Sequence, residues 1–204
     1  SPIGQSAPQI LGGEIDTNGT VAVIGAGTGL GKAFLVRDSR GMYIAGPSEG
    51  GHVSFAAESE REFEFQRFVV ARRGGRYAST NDIVSGRGLV LIHEFLTKNV
   101  IEPAEIAKNF DVHPETLEWF ARFYGRVCRN FALDTLATGG VYVTGGVAAK
   151  NPIIVKHDEF HKAFRDSRAH EALLARIPLF LISNEDSGLW GAGLLGSQLL
   201  STLP

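Results

Sequence analysis

Two glycine-rich turns and one polar loop hold the residues whose types and spacing could do chemistry. The first turn is Gly25-Ala26-Gly27-Thr28-Gly29-Leu30-Gly31, directly after the apolar run Val21-Ala22-Val23-Ile24. Its glycines open dihedrals closed to other residues and remove side chains that would keep a ligand from the amides. Successive exposed N–H groups form a concave anion cradle, so phosphate is the first ligand to consider. The second turn, Gly145-Gly146, follows Val141-Tyr142-Val143-Thr144. A strand, a glycine pair and then a helix could seat the adenosine half of a nucleotide near a helix N-terminus. An ordinary strand-to-helix turn has the same pattern. The polar loop, Pro47-Ser48-Glu49-Gly50-Gly51-His52, carries Glu49 and His52 between glycines. A carboxylate accepts two hydroxyl hydrogen bonds and an imidazole both donates and accepts, which suits a polyol. The plain alternative is a surface turn with two solvated side chains.

Two other groups look chemical and are read as structural. His157-Asp158-Glu159-Phe160-His161 has the i, i+4 histidines of a zinc site. The metalloprotease pattern needs Glu in second place, where Asp158 stands, and no third ligand is evident, so no metal site is expected. Cys128 is expected in the core rather than as a nucleophile, with only Arg126 or Arg129 near enough in sequence to activate it.

The elements around the first turn decide what it is. Residues 21–25 read as a buried strand. Lys32-Ala33-Phe34-Leu35-Val36, the turn Asp38-Ser39-Arg40-Gly41 and Met42-Tyr43-Ile44-Ala45 then read as strand, turn, strand. A dinucleotide fold needs a helix after its loop and the spacing G-x-G-x-x-G, which glycines at 25, 27, 29 and 31 cannot supply. A Walker A loop ending at Gly31-Lys32 needs glycine at 26 and Ser or Thr at 33, and both are alanine. The turn is therefore a phosphate-type loop inside a β-hairpin.

The remaining elements follow from periodicity and caps. Residues 1–20 read as a connector with one apolar patch, Ile10-Leu11. Ser59 with Glu62 forms a capping-box pattern for a helix that buries Phe65, Phe68 and Val69. Residues 79–88 read as a loop holding Asn81, Asp82, Ser85 and Gly86. Helices are expected over 89–98, 104–110 and, the longest, from Pro114 to about Ala137. A helical region runs to about residue 173, residues 178–182 form the last strand, and Ser187 caps a final helix.

Bulk composition narrows the class. The chain has 204 residues, 44% apolar and 21% charged, which is enough for one good core. A net charge of −2 without a basic block makes nucleic acid an unexpected partner. No apolar run approaches a membrane span. A lone cysteine fits a reducing, cytoplasmic setting.

Five segments in order resemble the bacterial glucokinase family: Val23 to Gly31, Ser48-Glu49-Gly50-Gly51-His52, Ile83 to Leu89, Gly139 to Val147, and Ser187-Gly188-Leu189-Trp190-Gly191-Ala192-Gly193. The similarity runs from about residue 5 to 199. It implies an α/β, actin-like ATPase (ribonuclease H-like) domain, with a mixed sheet, a β-hairpin phosphate loop and packed helices. It implies ATP and Mg²⁺ as cofactors and glucose or a similar hexose as substrate. Gly25, Ala26, Gly27, Thr28 and Gly29 would meet ATP phosphates. Gly145 and Gly146 would meet the adenosine, and Glu49 and His52 would hold ring hydroxyls. The related zinc-containing sugar kinase and repressor family is disfavoured, because Cys128 is the sole cysteine.

Two departures from the family shape the expectation. Its Asp-x-Gly-Gly-Thr loop and Asn-Asp catalytic pair are not among these residues, so no catalytic base is assigned here. The expected layout is a linker from a missing N-terminal small domain (1–20), a large domain (21–187) and a terminal helix that packs on the small domain (188–204). Leu194, Leu195 and Leu199 would then lack a partner and could drive homodimerisation. The family also places a sugar-binding glutamate where this chain has Asn81; its amide can still hydrogen-bond sugar hydroxyls, but without charge, so Asn81 is expected at the substrate with weaker contacts and hexose specificity is open. The rival readings are a non-catalytic sugar or nucleotide sensor and a kinase for another hexose.

Overall fold

The computed structural model describes residues 7–184 and 187–200. A six-stranded sheet in the order β1-β6-β5-β2-β3-β4 organises it. The strands are β1 (Gln9–Leu11), β2 (Val21–Ala26), β3 (Leu30–Arg37), β4 (Tyr43–Ser48), β5 (Gly140–Thr144) and β6 (Leu179–Leu181). β2, β5 and β6 run parallel, while β3, β4 and β1 pair antiparallel with β2, β3 and β6. The sheet is therefore mixed, and the hairpin read from the glycine spacing is β2–β3, with Gly25 opposite Gly31 and Ala26 opposite Leu30.

The helices are α1 (Glu60–Arg73), α2 (Thr80–Ile83), α3 (Gly86–Thr97), α4 (Pro103–Lys108), α5 (Pro114–Thr135), α6 (Gly146–Lys150), α7 (Pro152–Lys156), α8 (Asp158–Arg165), α9 (Glu171–Arg176) and α10 (Ser187–Leu200). α5 is the central one. Pro114 opens it, and its apolar stripe buries Phe120, Ala121, Phe123, Tyr124 and Cys128 completely. It packs on β2, α3 and α8. Burial pushes the Cys128 thiol up, so it stays protonated within the core. Among the described residues no helix is long and apolar enough to cross a membrane.

Several elements differ from the sequence reading. The stretch 1–20 is not only connector, because Gln9–Leu11 pairs with β6 and buries Leu11. The Ile10-Leu11 patch supplies the apolar face that makes this edge strand worthwhile. β4 extends through Pro47 and Ser48, which an edge strand tolerates because it has an unpaired side. Residues 79–88 are two helix starts rather than a loop. Ser79 and Asp82 form a full capping box for α2, and Ser85 Oγ accepts from Gly88 N at 3.1 Å to cap α3. At α1 only half the expected box forms. Ser59 accepts from Glu62 N at 3.3 Å, but the Glu62 carboxylate turns to Glu58 N and to Arg126. The side chains of Leu194, Leu195 and Leu199 lie outside the described residues.

Candidate functional site

The two glycine turns lie side by side because their strands are parallel neighbours. Gly25 is in register with Thr144, so β2 and β5 end at the same edge of the sheet. Gly145 follows with φ +88°, a conformation that favours glycine. A Cβ there would stand 2.4 Å from the Ala26 carbonyl oxygen, so the backbones of the two turns touch.

Between the turns and helices α3, α4 and α6 opens a cavity of about 770 Å³, within the range of small-molecule sites. Gly27 and Thr28 line it from the hairpin, and Gly146 from the second turn. Gly25 and Ala26 sit back in the β2 ladder, and Gly29 and Gly145 are not among the lining residues. The tip of the hairpin is closed on itself, with Gly27 N donating to Gly29 O at 2.8 Å. It is also pinned from α3, where Gly86 N donates to Gly27 O at 2.8 Å. The N–H groups of Thr28 and Gly29 have no acceptor among the described residues, so they remain available to an anion.

The sequence reading missed the rest of this cavity. Leu89, Val90, Ala104 and Ala107 give it apolar walls, and Arg87 and Lys108 add cations. Arg87 and Leu89 fall in a segment that resembles the family, but the signal of the apolar walls was otherwise spacing on helices, which reads equally as core.

The polar loop sits on the far side of the hairpin tip. Glu49 precedes a 3-10 turn over Gly50–His52, and its carboxylate lies 3.8 Å from His52 Nε2. Both side chains are exposed. The loop is anchored through its backbone, leaving those side chains exposed. Thr80 Oγ1 donates to Gly51 O at 2.7 Å, and Tyr77 Oη donates to His52 O at 3.1 Å. Gly51 itself is pressed against the hairpin, since a Cβ on it would lie 2.1 Å from Leu30 O.

Asn81 has a structural partner as well. Its Oδ1 accepts from Leu30 N at 2.8 Å, at the root of the hairpin turn. Thr80 and Asn81 are adjacent on α2, so one short helix grips the Glu49–His52 loop with one side chain and the glycine hairpin with the next. Asn81 therefore holds the hairpin with its carbonyl oxygen, and its amide NH₂ is what remains for a ligand.

The histidine pair is engaged structurally. His157 Nδ1 accepts from Glu159 N at 3.1 Å as the cap of α8, and His161 Nε2 donates to Val155 O at 2.9 Å. Among the described residues no group of three or more His, Cys, Asp or Glu is placed to hold a metal ion.

Comparison with known proteins bears on the family and the fold. The family model for glucokinase matches residues 3–199. A glucokinase of Trichormus variabilis is 33% identical over 92% of this chain, and one of Pectobacterium atrosepticum is 35% identical over 97%. The chain spans about 64% of the length of each. Among solved structures, a glucokinase from an Antarctic psychrotroph superposes with a TM-score of 0.80 at 23% identity, covering 89% of this chain and 59% of that one. A ROK family glucokinase from Streptomyces griseus, solved with glucose and AMPPNP, gives 0.58 at 20% identity, covering 87% and 60%. At these identities the structural likeness speaks for the fold, which is that of the actin-like ATPases. By sequence, over nearly its whole length, the chain belongs to the glucokinase family.

Proposed function

We propose that this chain supplies the nucleotide cavity and the sugar loop of an ATP-dependent glucokinase, which transfers the γ-phosphoryl group to the 6-hydroxyl of glucose. The observation that carries this reading is the pair of glycine turns flanking one cavity, with the unengaged amides of Thr28 and Gly29 at its edge. ATP would place its adenosine between α3, α4 and α6, and its phosphates at the hairpin tip. Mg²⁺ would enter with the nucleotide, since magnesium takes many of its ligands from substrate phosphates and water. Glu49 and His52 would fix ring hydroxyls on the other side of the tip, with α2 holding the two loops in one frame. Phosphoryl transfer relies mainly on positioning and charge stabilisation, to which the hairpin-tip amides would contribute. The general base is proposed to lie in the part of the relatives' length that these 204 residues do not span.

A coupled assay of the full-length protein with ATP, Mg²⁺ and a panel of hexoses tests this. Glucose 6-phosphate formation is expected, with the 204-residue chain alone giving no turnover. Saturable glucose and ATP binding without product from the full-length protein would favour a sensor. Turnover of a different hexose alone would reassign the substrate.

A further inference from the structure

Behind the Glu49–His52 loop lies a second, smaller cavity of about 240 Å³. Lys32, Thr80, Arg126, Asn130 and Asp134 line it. Lys32 rises from β3, and its stem packs under the loop, where a Cβ on Gly50 would lie 3.0 Å from Lys32 Cδ. Lys32 is only 8% exposed. Its ammonium stands 5.3 Å from the Phe131 ring centroid and makes no hydrogen bond or ion pair among the described residues. The stem is buried but the ammonium itself is not fully enclosed, so its charge faces the cavity, where an anionic acceptor would meet it.

The neighbouring groups define the acceptor. Arg126 is neutralised by Glu62, with Nη1 and Nη2 at 2.7 and 3.1 Å from its two oxygens. Arg126 Nε, however, is a buried donor with no partner among the described residues. Asn130 Oδ1 accepts from Arg129 Nε at 3.1 Å, which leaves its NH₂ free to donate. Asp134 is the one carboxylate on this lining, and an ionised carboxylate only accepts. The cavity thus presents the Lys32 ammonium and the Asn130 NH₂ as donors beside a single carboxylate, in a space too small for a nucleotide.

We propose that this cavity binds a small oxyanion that still carries a proton, of the hydrogen phosphate class. Its bare oxygens accept from Lys32 and Asn130, and its hydroxyl donates to Asp134. Sulfate has no proton to give near neutral pH, so it meets Asp134 as a like charge. The bound anion ties β3 to α5 beside Thr80, the residue that anchors the Glu49–His52 loop.

Titration of the protein with inorganic phosphate, followed by calorimetry and by backbone amide NMR, tests this. Saturable one-to-one binding is expected, with shifts at Lys32, Thr80 and Asn130. Sulfate should bind about tenfold more weakly or worse, as should phosphate to Lys32→Met, each losing at least one charge-assisted contact. Lys32→Gln covers the case in which the methionine variant misfolds. Asp134→Asn should bring sulfate and phosphate to similar affinity. Shifts confined to residues 25–31 would place the anion on the glycine turn and overturn the proposal. So would undiminished phosphate binding in a folded Lys32 variant, or no saturable binding to the unaltered protein.

Discussion

Asn81 Oδ1 accepts a hydrogen bond from the backbone N–H of Leu30 at 2.8 Å, joining residues 51 apart in sequence. Leu30 is buried and the bond is partly so, which limits how far water can replace this acceptor if it is lost. Asn81→Ala should therefore cost about 1–3 kcal/mol in a urea titration. It should also weaken nucleotide binding several-fold, because the hairpin tip loses one of its two pins. Asn81→Asp keeps an acceptor and should keep most of the stability. Equal stability of the alanine variant and the parent would show that the contact does not hold the turn.

Gly145 and Gly146 are adjacent but should respond oppositely to alanine. At Gly145 the backbone is at φ +88° and a Cβ would meet Ala26 O at 2.4 Å, whereas Gly146 has open space around it. Gly145→Ala should lose about 3 kcal/mol or more, while Gly146→Ala should stay within about 0.5 kcal/mol of the parent. Thermal melts of the two variants make the comparison. Similar melting behaviour would mean the two turns do not touch.

His93 makes stability depend on pH. It is buried in α3 against His113, with Nδ1 3.2 Å from Thr116 Oγ1. Burial first, and the His113 ring second, hold its pKa below the ordinary imidazole value of 6.5. The unfolded chain then takes up the proton first. The stability His93 contributes is complete above the ordinary value and is lost as pH falls through the folded-state value. Urea midpoints should drop between about pH 7 and pH 5, and His93→Gln should flatten that slope. An unchanged slope in the variant would assign the acid sensitivity to other groups.

How much was legible in the sequence differs from one feature to the next. The hairpin was legible because glycine spacing and the missing helix excluded the helical phosphate loops by geometry alone. The Glu49–His52 loop was legible because glycines bracket two polar side chains. The α2 and α3 starts were missed although Ser79 with Asp82, and Ser85, are ordinary cap signals; the density of polar and glycine residues there read as loop. The role of Asn81 could not be read, because it depends on where α2 meets β3. The cavity walls were hidden for a related reason, since Leu89 and Val90 face a cleft with the same apolar spacing that a core requires.

The proposed function requires a nucleotide to lie against the hairpin tip between the two glycine turns. Gly27 offers the most direct test, because it lines the cavity and a Cβ there would touch nothing within 4 Å. A side chain at 27 should leave the fold intact and obstruct the ligand. The measurement is calorimetric titration of a non-hydrolysable ATP analogue into the parent protein and into Gly27→Val, with thermal midpoints recorded for both. The prediction is saturable binding to the parent, a loss of about tenfold or more in the variant, and closely matched midpoints. Equal affinity in both proteins, or no saturable binding to the parent, would contradict it.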